Sequence, residues 1–81
     1  MRIAFTGPAI VNGIHLERKL LIDLAKEKGH TVHNRVDSTT DLLVCNYEFL
    51  EKRKTTKVDN AAFFGTTITS PHNFLQHMGY S

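Results

Sequence analysis

The chain has 81 residues, of which 41% are hydrophobic and 22% charged, and a formal net charge of +2. That length makes one small domain, residues 1–81, with no room for a substrate domain beside a cofactor domain. The composition argues against disorder, no apolar run approaches the ~18–20 residues of a membrane span, and the charge is too small for a broadly basic nucleic-acid coat.

Arg2 to Thr6 reads as a short strand, central because Ile3, Ala4 and Phe5 are all apolar. The chain enters this strand directly, so no signal peptide is expected. Gly7 to Gly13 reads as a loop, punctuated by Gly7-Pro8 and Asn12-Gly13. A helix is expected from about Ile14 to Lys28, with Leu16, Leu20, Leu21 and Leu24 on its inner face and Gly29 as its stop.

Thr31 to Val36 alternates like a half-exposed edge strand, and Asp37 to Asp41 is turn chemistry. Leu42 to Cys45 is wholly apolar, which suits a buried parallel strand. Asn46 to Thr56 is a long polar connection. It leads to a second helix from about Lys57 to Phe64, with Thr55 or Thr56 as N-cap and Gly65 as stop. Thr66 to Ile68 is a last small strand. Ser70-Pro71 then starts a final helix that carries Phe74, Leu75 and Met78 inward. The order is β-α-β-β-α-β-α. The connections around the helices are long enough for parallel crossovers, and the short link between the second and third strands places the first strand between them.

Two separated pieces could carry chemistry. Thr6-Gly7 ends the first strand, and Lys57, behind Thr55 and Thr56, begins the second helix. In a parallel sheet both fall at neighbouring element ends. A hydroxyl, a glycine amide open to close approach and an ammonium at a helix start suit a phosphate. The plain alternative is a strand-end turn, a helix cap and a solvated lysine.

The whole-chain pattern resembles the BRCT domain family, above all the BRCT domains of NAD-dependent bacterial DNA ligases and of the replication factor C large subunit. Phe5-Thr6-Gly7 matches that branch's first-strand motif. Arg18 stands fourteen residues before Val32, where the branch often has arginine. Gly29 and Val32 match the helix end and second strand. Thr40-Asp41-Leu42-Leu43-Val44 and Thr56-Lys57-Val58-Asp59-Asn60-Ala61 resemble two further family segments, and Gly65, Ile68 and Phe74 follow at the right spacing. The chain departs from the pattern at Gly29-His30, where the family usually has two glycines. It departs again in a longer first loop, Pro8 to His15, and in Phe74, where many members have tryptophan.

The resemblance implies an α/β domain with a four-stranded parallel sheet in the order 2-1-3-4. The first and last helices would lie on one face and the middle helix on the other. It also implies that Thr6, Gly7 and Lys57 hold a phosphate and that Arg18 assists, the phosphate being a recessed DNA 5′ end in the clamp-loader type.

The remaining residues point to no catalysis. His30 and His33 diverge across a strand, and His72 and His77 diverge around a helix. Cys45 is the only cysteine. No metal site or cofactor is expected, Cys45 reads as a small core residue in a reducing, intracellular setting, and no Walker loop, dinucleotide fingerprint or serine triad is present. Lys52-Arg53-Lys54 reads either as a solvated loop or as a basic rim that follows a nucleic-acid backbone. Tyr47 and Phe49 read as core anchors or as stacking groups. The leading expectation is a module of DNA replication or repair that binds 5′-phosphorylated DNA without catalysis. Its first rival is a protein-interaction scaffold for a DNA-processing enzyme, as phosphoprotein reader or homodimer; the second is a small nucleotide-binding enzyme using Thr6-Gly7.

Overall fold

The structure, a computed structural model, describes residues 1–48 and 56–79. In chain order its strands are β1 (Arg2–Thr6), β2 (Ala9–Val11), β3 (Ile14–Leu16), β4 (Thr31–Val32), β5 (Leu42–Cys45) and β6 (Thr67–Thr69). Its helices are α1 (Arg18–Glu27), α2 (Thr56–Phe64) and α3 (Pro71–His77). Four strands form one parallel sheet in the order β4-β1-β5-β6, and β2 and β3 pair separately as an antiparallel hairpin. The strand numbers differ from the expected 2-1-3-4 because the hairpin inserts two strands after β1. Counted without it, the sheet strands lie second, first, third and fourth.

The sheet is covered on both faces, and strand alternation sorts the core. Ile3, Phe5, Leu42 and Val44 pack with Leu21 and Ala25 of α1 and with Phe74 and Met78 of the α3 end. Ala4, Leu43 and Cys45 point the other way, against Val58 and Ala61 of α2. Phe74 is fully buried and meets Phe5 edge to face, with ring centroids 5.4 Å apart at 85°. The Ser70 side chain accepts from the Asn73 amide at 3.1 Å and Pro71 opens the helix, as the Ser-Pro pair predicts.

Five elements differ from the sequence reading. The loop after Gly7 is a hairpin, and α1 starts at Arg18 rather than Ile14. Asn12 and Gly13 both have positive φ, 52° and 77°. That is the two-residue turn whose twist matches paired strands, and it closes Ile14–Leu16 back onto Ala9–Val11. With the helix shortened, its buried stripe is Leu21 and Ala25, while Leu20 turns outward.

The second expected strand stops at Val32 instead of Val36. Val32 packs on the α1 face of the sheet and Val36 on the α2 face. A continuous strand puts residues four apart on the same face, so the chain has to leave the sheet between them. The last strand is displaced by one residue, to Thr67–Thr69, and the second helix starts one residue earlier than expected, at Thr56, with its end at Phe64 unchanged.

The turn that follows Val36 is organised around a buried hydroxyl. Thr40 Oγ1 accepts from the Asp37 amide at 3.0 Å and bonds His33 Nε2 at 3.0 Å. The Thr39 hydroxyl, and then its amide, hold the Asp37 carboxyl below its usual value. The stability linked to Asp37 is therefore present above the ordinary aspartate range and is lost as pH falls through the lowered folded value. Thr40→Val keeps the shape but strands a donor and a ring nitrogen. We expect it to lower stability by about 1–3 kcal/mol, read as a lower urea midpoint with an unchanged slope.

Candidate anion-binding site

β1 and β5 run parallel with Thr6 opposite Cys45, so their C-terminal ends share one edge of the sheet. At that edge the chain turns through Gly7, whose φ of 73° is left-handed and favours glycine. Two cations arrive from opposite faces. Arg18, the first residue of α1, donates from Nη2 to the Gly7 carbonyl at 2.9 Å. Lys57, in the first turn of α2, donates from Nζ to the Phe5 carbonyl at 2.8 Å. The two carbonyls are two residues apart in sequence, one on each side of Thr6.

The two charges act on one another. Burial pushes the Lys57 ammonium below the usual lysine value, and the Arg18 guanidinium pushes it further down. Among the described residues the ion pair is Arg35–Asp37, at 3.5 Å, so no described carboxylate balances Arg18 or Lys57. The N-cap of α1, Glu17, makes no side-chain capping bond, so its first-turn amides add positive potential at the same edge. Two cations that no described carboxylate balances, a glycine turn and a helix start favour an anion, and among the described residues of the group nothing supplies an acid–base pair.

Of the seven predicted site residues, Thr6, Gly7, Arg18 and Lys57 lie at this edge, with unequal access. Arg18 is exposed, Gly7 and Lys57 are half-buried, and Thr6 is 7% exposed. Thr6, Gly7, Pro8, Ala9, Arg18 and Pro71 line a small niche on the α1 side of the sheet, and Lys57 is not among its lining residues. A larger groove, about 390 Å³, runs between β6 and α3 over Leu42, Ile68 and Phe74. It holds none of the anion-site residues. Lys52, Arg53, Lys54, Thr55 and Phe49 lie outside the described residues. Tyr47 is 49% exposed, with its hydroxyl 3.4 Å from Asn73 Nδ2, which removes it from the core.

The β2–β3 hairpin at this edge is absent from the sequence reading, although Asn12-Gly13 between apolar residues was the signal for it. Asn46, directly after β5, ties it down by donating from Nδ2 to the Ile10 carbonyl at 3.4 Å. His15, His72 and His77 are exposed, whereas His30 and His33 are half-buried. The His30 ring meets the Met1 amine at 3.0 Å. Among the described residues no three His, Cys, Asp or Glu side chains cluster as metal ligands, and no helix is long and apolar enough to cross a membrane. Cys45 is fully buried, and burial pushes its thiol pKa up, away from the thiolate a nucleophile needs.

Comparison with protein-family models, curated proteins and solved structures finds no match.

Proposed function

We propose that this chain is a non-catalytic, BRCT-like recognition module that holds the 5′ phosphate of a DNA end at the edge formed by Thr6, Gly7, Arg18 and Lys57. The observation that carries the reading is that Arg18 and Lys57 bond the carbonyls of Gly7, just after β1, and of Phe5, within it, with no described carboxylate to balance them. The parallel sheet and the placing of α1 and α3 on one face, with α2 on the other, agree with what the BRCT resemblance implies.

A terminal phosphate carries about −1.5 to −2 charges at neutral pH, which matches two cations better than the single charge of an internal phosphodiester. In this reading Gly7 offers its amide, Arg18 and Lys57 donate charge-assisted bonds, and Thr6 closes the floor. Each charge-assisted bond contributes roughly 1.5–3 kcal/mol.

Titration with duplexes that differ only in the 5′ phosphate tests this. The phosphorylated duplex should bind at least about tenfold more tightly, the lower end of that range for one bond. Equal affinities would remove the end-recognition reading. The salt dependence reports the contact count. Arg18 and Lys57 alone predict a slope of about −2 in log affinity against log salt, and a slope nearer −4 brings in Lys52, Arg53 and Lys54.

A second reading, a protein-interaction module, draws on Phe63, which is 81% exposed and stacks edge to face on Phe64 at the end of α2. Partner binding that survives combined Thr6→Ala and Lys57→Ala substitution would favour it.

A further inference from the structure

The anion site explains one end of a ligand and leaves the β2–β3 hairpin without a role. The hairpin grows out of the site: β2 starts two residues after Gly7, and β3 ends two residues before Arg18. Its base is fixed. Ala9 is 6% exposed and packs in the main core, Leu16 opposite it packs against the same cluster, and Asn46 holds the Ile10 carbonyl. Alternation then orients the tip. Ala9 and Leu16 form one cross-strand pair, and Val11 and Ile14, two positions further along, form the next pair on the same face. The inward face of the hairpin thus continues past the body of the domain as an apolar lip. Val11 is half-buried and Ile14 is 63% exposed.

An isoleucine this open, on a strand pair anchored at its base and rising from the niche that Gly7, Ala9 and Arg18 line, is an apolar surface next to a charged one. A nucleotide has the same two parts: a charged phosphate and, one sugar away, an apolar ribose edge and base face. Inorganic phosphate has only the first part.

We propose that the β2–β3 hairpin is the specificity element of the anion site, with Val11 and Ile14 packing on the sugar and base of the nucleotide that carries the bound phosphate. This rests on the phosphate-binding reading above and adds the part of the ligand that reading leaves unassigned. The hairpin selects a phosphate attached to a nucleotide over phosphate alone. Arg18 and Lys57 serve both ligands equally.

The test uses Ile14→Ser, a change at an exposed position that leaves the base of the hairpin intact. Two probes are titrated: a 5′-phosphorylated duplex and inorganic phosphate. The variant should bind the duplex about fivefold more weakly, as expected for the loss of one partly covered aliphatic side chain, and inorganic phosphate as tightly as the unaltered chain does. Lys57→Ala should weaken both probes. Unchanged duplex affinity in Ile14→Ser overturns the inference while the phosphate reading stands. Equal weakening of both probes also overturns it, because the hairpin would then act on the site rather than on the nucleotide. If the unaltered chain binds duplexes with and without the phosphate equally, both the inference and the reading it rests on fall.

Discussion

Phe74→Ala should be the most damaging single core change in this domain, lowering stability by about 3–5 kcal/mol. Phe74 is fully buried, and it belongs to the cluster that joins β1, β5, α1 and α3. Truncation loses the transfer energy of the ring, leaves a cavity, and removes the edge-to-face contact with Phe5, itself worth about 0.5–1.5 kcal/mol. A chain of this length holds only roughly 4–12 kcal/mol in total, at 0.05–0.15 kcal/mol per residue. The variant should therefore unfold at a much lower urea midpoint and melt many degrees earlier. A loss under about 1 kcal/mol would mean that α3 is not packed on the sheet as described. Phe74→Leu retains most of the volume and should recover most of the stability.

Lys57→Ala should separate binding from stability. The affinity for 5′-phosphorylated duplex should fall by about tenfold or more, since one charge-assisted bond is removed. The cost to folding should stay within about 1 kcal/mol, because the ammonium is already disfavoured by burial and by Arg18 while gaining one bond to the Phe5 carbonyl. The sign of the linkage agrees. A lysine with a lowered folded pKa holds its proton less tightly in the folded chain than in the unfolded one. It therefore costs stability below the lowered value, and that cost disappears as pH rises to the ordinary lysine range.

Binding has the opposite dependence at the alkaline end. A bound dianion favours the charged lysine, so affinity should fall once pH passes the lowered Lys57 value. At the acid end affinity should fall near pH 6, where the phosphate takes up its second proton, about 6 being its ordinary value. Affinity measured across pH should give a plateau with both flanks in the unaltered chain. In Lys57→Ala the acid flank should remain and the alkaline flank should be lost. An alkaline flank that persists in the variant would assign it to another group.

Much of the sheet was legible because its strands are short and apolar. Ile3-Ala4-Phe5 and Leu42-Leu43-Val44-Cys45 are buried on both faces, so they read as continuous apolar runs. The helix signals at Ser70-Pro71 and Gly29 are chemical and local, and they fell within a residue of the observed ends. The errors came from residues that satisfy two periods. Leu16 fits a helical stripe with Leu20 and Leu24, yet it also alternates with Ile14 in a strand, and the positive φ at Asn12 and Gly13 decides for the strand. Val36 continues an alternating pattern from Val32, and only the tertiary position of α2 shows that it belongs to the other face.

The candidate site was legible as residue types without its geometry. Thr6, Gly7 and Lys57 could be singled out because each stands at an expected element end, whereas Arg18, expected inside the first helix, was singled out through the BRCT resemblance alone. That Arg18 and Lys57 grip carbonyls two residues apart from opposite faces depends on the helix starts, which sequence spacing fixes only loosely. The hairpin was missed as an element, so its lip, Val11 and Ile14, could not be placed near the phosphate.

The most direct measurement is the change in backbone amide chemical shifts on adding a 5′-phosphorylated duplex, compared with the same duplex lacking the phosphate. The phosphate-dependent shifts should be largest at Gly7, Arg18 and Lys57, with smaller ones at Val11 and Ile14. Phosphate-dependent shifts centred instead on the groove between β6 and α3, or on Phe63 and Phe64, with Gly7 and Lys57 unmoved, would contradict the account.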